Sequence, residues 1–162
     1  MVPATYLIIL ATNSLSLPTS AQEFVGKPNI TNGDTIRIDQ VRIRLHGIDA
    51  PEAKQTCKKQ NGSTYPCGTM ATFELARLIE EHWVTCHQKD VDRYKRIIAI
   101  CFTGPVNLNA EMVKSGWAIA YRKYSKDYVD EEVEANAAKR GMWQGDFLKP
   151  WEWRKGKRLG YQ

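Results

Sequence analysis

This sequence predicts an α+β fold. Residues 30–49 alternate apolar and polar side chains as half-buried strands do, three later segments carry apolar residues at helical spacing, and the strands are grouped ahead of most of the helices. That grouping argues against a doubly wound parallel sheet. The chain has 162 residues, 43% hydrophobic and 25% charged, which fits one globular domain and excludes disorder, collagen and coiled coil. A chain of this size can build a core without a structural metal.

Residues 1–21 contain no Asp, Glu, Lys or Arg. Tyr6-Leu7-Ile8-Ile9-Leu10-Ala11 is an apolar run too short to span a bilayer, and Pro18-Thr19-Ser20-Ala21 offers the small residues a signal peptidase needs. The segment is therefore expected to be a signal peptide, although its start lacks the usual Lys or Arg. The mature domain would begin at residue 22, be periplasmic or secreted, and have no membrane association once the signal is removed.

In the mature region, Asn32-Gly33-Asp34 is a turn signal. Ile36, Ile38, Val41, Ile43 and Leu45 then alternate with Arg37, Asp39, Arg42, Arg44 and His46, giving two strands joined tightly at Asp39-Gln40. Lys54 to Gly68 is polar, contains Gly62 and Pro66, and is expected to be a loop. Met70, Phe73, Ala76 and Leu78-Ile79 predict an amphipathic helix with Thr69 as its N-cap. Val84–Lys89 and Ile97–Cys101 predict a hairpin around a charged loop, Asp90 to Arg96. Asn107 to Ser115 predicts a short helix, with Leu108 and Met112 one turn apart and Gly116 at its end. A third helix is expected over 127–140, with Val129, Val133 and Ala137 as its apolar stripe, acidic residues at its start, Lys139-Arg140 at its close and Gly141 terminating it.

Cys57, Cys67, Cys86 and Cys101 allow three disulfide connectivities in an oxidising compartment. Cys86 and Cys101 lie symmetrically about the predicted hairpin turn, so they are expected to pair across it, leaving Cys57 with Cys67 across the loop. His46, His82 and His87 have no zinc-type spacing with each other or with the cysteines. The net charge of +5 and a pI near 9.0 favour a polyanionic partner, a weak signal on its own.

Three segments place charged residues at strand ends, where a fixed backbone can aim them at one point: Asn32-Gly33-Asp34-Thr35, Arg44-Leu45-His46-Gly47-Ile48-Asp49-Ala50-Pro51-Glu52, and Asp92-Arg93-Tyr94-Lys95-Arg96. Asp34 and Asp49, on separate strands, could share a hard cation such as Ca²⁺ or Mg²⁺. Taken singly, each is more often a turn residue bonding its own backbone, Arg44 and Arg96 are more often solvated arginines, and Glu52 an exposed carboxylate.

In combination the three segments closely resemble the staphylococcal nuclease family, from about Ile30 to Trp143. Gly116-Trp117-Ala118 and Gly141-Met142-Trp143 extend the match. The resemblance implies a five-stranded OB barrel with three helices, spanning 22–162 with a basic, tryptophan-rich tail from about residue 144. It also implies that Asp34, Asp49 and the Ala50 carbonyl bind Ca²⁺, and that Glu52 positions or deprotonates the attacking water. Arg44 and Arg96 would act on the scissile phosphate and its transition state. Arg93, Tyr94, and Tyr121 or Tyr124 would contact the nucleotide.

The expected protein is then an exported, calcium-dependent endonuclease, a monomer acting on DNA, RNA or both. Two departures stand out. Lys95 replaces the glycine usual before the second arginine, and Asn32 replaces a frequent aspartate near the metal; a left-handed backbone at Lys95 would strain the loop that aims Arg96. The competing readings are a catalytically weak or inactive OB module that binds nucleic acid, and an exported structural domain. The tail around Pro150, Trp151, Trp153 and Arg154 to Arg158 reads first as a strand or loop packing its tryptophans on the barrel, and second as a nucleic-acid arm, which fits its charge.

Overall fold

The structure, a computed structural model, describes residues 22–160. The expected signal peptide lies outside the described residues. Strands β1 (Glu23–Gly26), β2 (Asn29–Asn32), β3 (Thr35–Ile38), β4 (Val41–Leu45), β5 (Ile48–Asp49), β6 (Cys57–Lys59) and β7 (Thr64–Tyr65) precede helix α1 (Cys67–Ile79). Strands β8 (Val84–Val91), β9 (Ile97–Thr103) and β10 (Val106–Asn107) follow. Helix α2 (Leu108–Lys114), β11 (Ile119–Ala120), α3 (Val129–Ala137), a 3₁₀ turn (Gly141–Gln144), β12 (Gly145–Asp146) and α4 (Pro150–Arg154) complete the order.

The main sheet runs β1-β8-β9-β4-β3-β2, with β10 added to β9, and it curls into a half-barrel. Its pairs are antiparallel except β4 with β9, which is parallel and sets Arg44 beside Ile98. The alternation on β3 and β4 works as predicted. Ile36, Ile38, Ile43 and Leu45 are buried in the core, and Thr35 faces Arg44 across the pair. Strand β1 carries no such pattern in the sequence, being four residues long; it is held by pairing to β8 and by Phe24 packing against the core.

The helices exist where expected but two present a different face. On α1 the buried residues are Cys67, Gly68, Ala71, Leu75 and Ile79, a stripe at every fourth residue from Cys67, whereas Phe73 is 63% exposed. The helix starts at Cys67, behind Pro66, and not at a Thr69 cap, because Cys67 is anchored from the start by its disulfide. On α3 the inward residues are Glu132 and Ala135, while Val133 is 61% exposed. A buried glutamate displaces the predicted stripe because it has partners: Glu132 accepts hydrogen bonds from the Ala120 N–H and Arg122 Nη1, both at 2.7 Å. Helix α3 also ends earlier than Gly141, with Lys139 in the left-handed region at φ 53°. On α2, Leu108 and Met112 are buried as predicted, and the Asn107 side chain caps the helix.

Both disulfides form as expected. Cys86 directly opposes Cys101 in the β8–β9 register, and Cys57 joins Cys67 with Cα atoms 5.6 Å apart. The predicted loop around the second bridge holds the small hairpin β6–β7, to which β12 from the tail adds a third strand. Cys57, Cys67, Ile119 and Met142 form a second apolar cluster against Trp143, Phe147 and Trp151, so the tail is packed into the domain. Among the described residues no helix is long and apolar enough to cross a membrane.

Candidate active site

The end of β3–β4 and the segment after β5 bring four predicted residues into one hydrogen-bonded cluster. Arg44, on β4, donates from Nη1 to Asp34 Oδ1 at 2.7 Å and from Nη2 to Asp49 Oδ1 at 2.8 Å. Both carboxylates are buried, Asp49 completely. Asp34 sits in the β2–β3 turn, where its N–H is held by Asn32 Oδ1 at 3.1 Å. Asn32 therefore performs the backbone-holding part of an aspartate's role without its charge. Asp34 Oδ2 accepts the Ala50 N–H at 2.9 Å and Oδ1 the Thr35 hydroxyl at 2.9 Å.

Glu52 follows Pro51 on a segment fixed against α1. The Glu52 carbonyl accepts the Gln55 N–H at 2.7 Å, while the buried Gln55 side chain accepts the Glu52 N–H at 3.2 Å and donates to the Leu148 carbonyl at 2.7 Å. A Cβ at Gly68 would sit 1.8 Å from the Glu52 carbonyl oxygen, so only glycine lets α1 approach this segment.

Sequence reasoning missed one member of the cluster. Arg154, at the end of α4, donates Nη2 to Asp49 Oδ2 at 2.8 Å and Nη1 to Glu52 Oε1 at 2.7 Å, with a longer 3.1 Å contact to Asp49 Oδ1. Its only sequence signal was position in a basic run. Burial disfavours the Arg154 charge, but the hydrogen bonds to Asp49 and Glu52 outweigh it and raise its pKa. Arg44 is raised in the same way, against its own burial, by Asp34 and Asp49. Burial, together with the Asp34 charge, pushes the Asp49 carboxyl above the usual range despite its two arginine partners.

The other predicted residues stand outside this network. Arg96 donates Nε to Asp92 Oδ2 at 2.7 Å and makes no hydrogen bond to Asp34, Asp49 or Glu52. Tyr94 lies exposed between arginines, with the guanidinium carbons of Arg93 and Arg96 at 4.8 and 5.7 Å from its ring centroid. Lys95 adopts φ 61°, so the left-handed conformation that favours glycine is present in this turn. Tyr121 stacks on Trp151, centroids 5.1 Å apart, and Tyr124 packs edge-on against Tyr121. The two stacked rings line a groove of about 780 Å³ with Arg122, Lys123, Lys149 and Lys155 among its walls. Because β11 pairs with β5, this groove adjoins Asp49.

Among the described residues, no three His, Cys, Asp or Glu side chains converge on a common point as metal ligands would. Asp34 Oδ1, both Asp49 oxygens and Glu52 Oε1 are turned toward the two guanidinium groups instead. The donor set still suits a hard cation, since Asp34 and Asp49 are buried oxygen donors whose charge is met only by cations and amide or hydroxyl hydrogens.

Residues 42–145 match the family model described as staphylococcal nuclease homologue. A micrococcal nuclease of Shigella flexneri is 33% identical over 144 residues, covering 78% of this chain and 77% of that protein. An uncharacterized endonuclease of Haemophilus influenzae is 31% identical over 138 residues, 80% of this chain and 72% of its own. A protein named probable staphylococcal-like nuclease CAN2, from Oryza sativa subsp. japonica, is 32% identical over 132 residues, 80% of this chain but 33% of its own, so the chain spans about a third of that plant relative. With these matches over an α+β OB architecture that gathers Asp34, Arg44, Asp49 and Glu52, the chain belongs to the staphylococcal nuclease family and carries its nuclease domain.

Proposed function

We propose that this protein is an exported, calcium-dependent phosphodiesterase, a monomer that cuts DNA, RNA or both. The observation that carries the reading is Arg44 held between two buried aspartates, with Glu52 linked to the same cluster through Arg154. Phosphodiester hydrolysis needs a nucleophile, a base or orienting group for it, and fixed positive charge for the transition state. Arg44 offers a planar guanidinium held in place by two carboxylates, a fixed positive charge that would face the phosphate oxygens. Glu52, about a third exposed and fixed by Gln55 at its backbone, can accept a proton from water.

Asp34, Asp49 and the Ala50 carbonyl would hold Ca²⁺, which when bound supplies Lewis-acid polarisation of a phosphate oxygen and lowers the pKa of bound water. Arg96, held by Asp92 beside Tyr94 and Arg93, would meet the phosphate from the hairpin turn. Tyr121, its ring stacked on Trp151, and the exposed Tyr124 beside it would contact the nucleotide at the basic groove. The signal-like residues 1–21 and the two disulfides support export.

The test is incubation of the purified protein with plasmid, single-stranded DNA and RNA, with calcium and with chelator. Cleavage that depends on calcium is the expected result. Undiminished cutting in excess chelator would overturn the calcium assignment, and binding without any cutting would favour the inactive OB module.

A further inference from the structure

We propose that Arg154 is a third active-site arginine, which pairs with Asp49 and Glu52, gives way to the divalent cation and then serves the substrate phosphate. The proposal deepens the nuclease reading and rests on its metal site.

Three carboxylates, Asp34, Asp49 and Glu52, face two guanidinium groups, those of Arg44 and Arg154. The set carries one net negative charge. A divalent ion added to it would reverse that sign, and Asp49 Oδ2 has a guanidinium already on it at 2.8 Å. Entry of the ion therefore requires one arginine to withdraw. Arg44 is poorly placed to do so: it is 15% exposed, lies in a central strand, and bonds both aspartates and the Ile48 carbonyl. Arg154 is 37% exposed and is carried by a five-residue helix outside the sheet, so its side chain can rotate into solvent without disturbing the strands.

The backbone that carries Arg154 stays in place when the side chain leaves. Leu148 is tied to Gln55, and Trp151 is stacked on Tyr121, one helical turn before Arg154. A withdrawn guanidinium thus remains tethered at the rim, beside Lys155 and the basic groove. A phosphodiester arriving with the ion gives it a new anionic partner that matches its planar fork.

The test is calorimetric titration of calcium, without nucleic acid, into the wild-type protein, Arg154→Ala and Arg154→Lys, followed by steady-state cleavage of single-stranded DNA at saturating calcium. Removing a competitor that makes charge-assisted hydrogen bonds should tighten calcium binding in Arg154→Ala by about tenfold or more. Arg154→Lys, which keeps a charge but not the fork, should fall between, and carries the test if the alanine variant does not fold. With calcium saturating, the KM for DNA should rise several-fold in both variants. A purely structural role would weaken calcium binding or leave it unchanged, and either result overturns the proposal, as does an unchanged KM. If the wild type itself binds no calcium, the metal-site reading fails and this one with it; if the wild type binds calcium and the variants bind it equally, only the role of Arg154 fails.

Discussion

The Gln55 side-chain amide donates a 2.7 Å hydrogen bond to the Leu148 carbonyl, joining residues 93 apart in the chain. Through its other atoms Gln55 also fixes both backbone groups of Glu52, so one buried amide holds the Glu52 segment and the tail that carries Arg154 in register. Gln55→Leu fills similar volume but leaves the half-buried Leu148 carbonyl and the Glu52 N–H without these partners. A loss of about 1–3 kcal/mol in unfolding free energy is expected, with a fall in activity larger than the unfolded fraction accounts for. Denaturant titration and turnover on the same preparation check it; wild-type activity in a destabilised but folded variant would show that the register does not matter.

The strands that carry the site were legible because their chemistry is local. Alternation on β3 and β4 placed Ile36 and Ile43 inward and left Arg44 at the strand end, and hairpin symmetry set Cys86 against Cys101. The helix faces were less legible. Phe73 and Val133 are apolar and correctly spaced, yet they point outward, because Ala71 and Glu132 meet the closer partners. Arg154 was illegible for a different reason: its ion pair with Asp49 spans 105 residues and follows from how the second apolar cluster seats the tail, which no local pattern encodes.

Lys95 pays a conformational cost in the Asp92–Arg96 turn, where its φ of 61° is one that side chains with a Cβ rarely adopt. Relief of roughly 1–2 kcal/mol of left-handed strain, less about 0.5–1 kcal/mol of extra chain entropy lost by glycine, leaves a gain of about 1 kcal/mol for Lys95→Gly. Thermal unfolding should show a higher Tm. A lower Tm would mean that the lysine side chain contributes more to this turn than its backbone costs.

Asp92 organises the same turn by accepting the Tyr94 and Arg96 N–H groups on Oδ1 and Arg96 Nε on Oδ2. Partial burial raises its pKa, but the hydrogen bonds from Arg96 and Tyr94 outweigh this, and the folded value lies below that of an ordinary aspartate. The resulting stability is fully present above the unfolded pKa of about 4 and is lost as pH falls through the lower folded value. Asp92→Asn should thus be less stable than wild type at neutral pH, and the gap should close in strong acid. Parallel stability curves for the two proteins across that range would contradict the pairing.

Glu52→Gln separates catalysis from architecture at the centre of the proposed mechanism. Glutamine retains the size of the side chain and a carbonyl that Arg154 can still bond, but it cannot accept a proton from water. Turnover should drop by at least ~10²-fold, the lower end expected for loss of a positioned general base, while KM changes little. The Glu52–Arg154 pair is about a third exposed on each side, and such pairs contribute roughly 0–1 kcal/mol, so Tm should move only slightly. Rate, KM and Tm measured on one preparation distinguish the two roles. If Glu52 were only a structural partner for Arg154, activity would follow the folded fraction, and near-normal turnover in a folded variant would remove Glu52 from the chemistry and leave catalysis to the aspartates, Arg44 and Arg96.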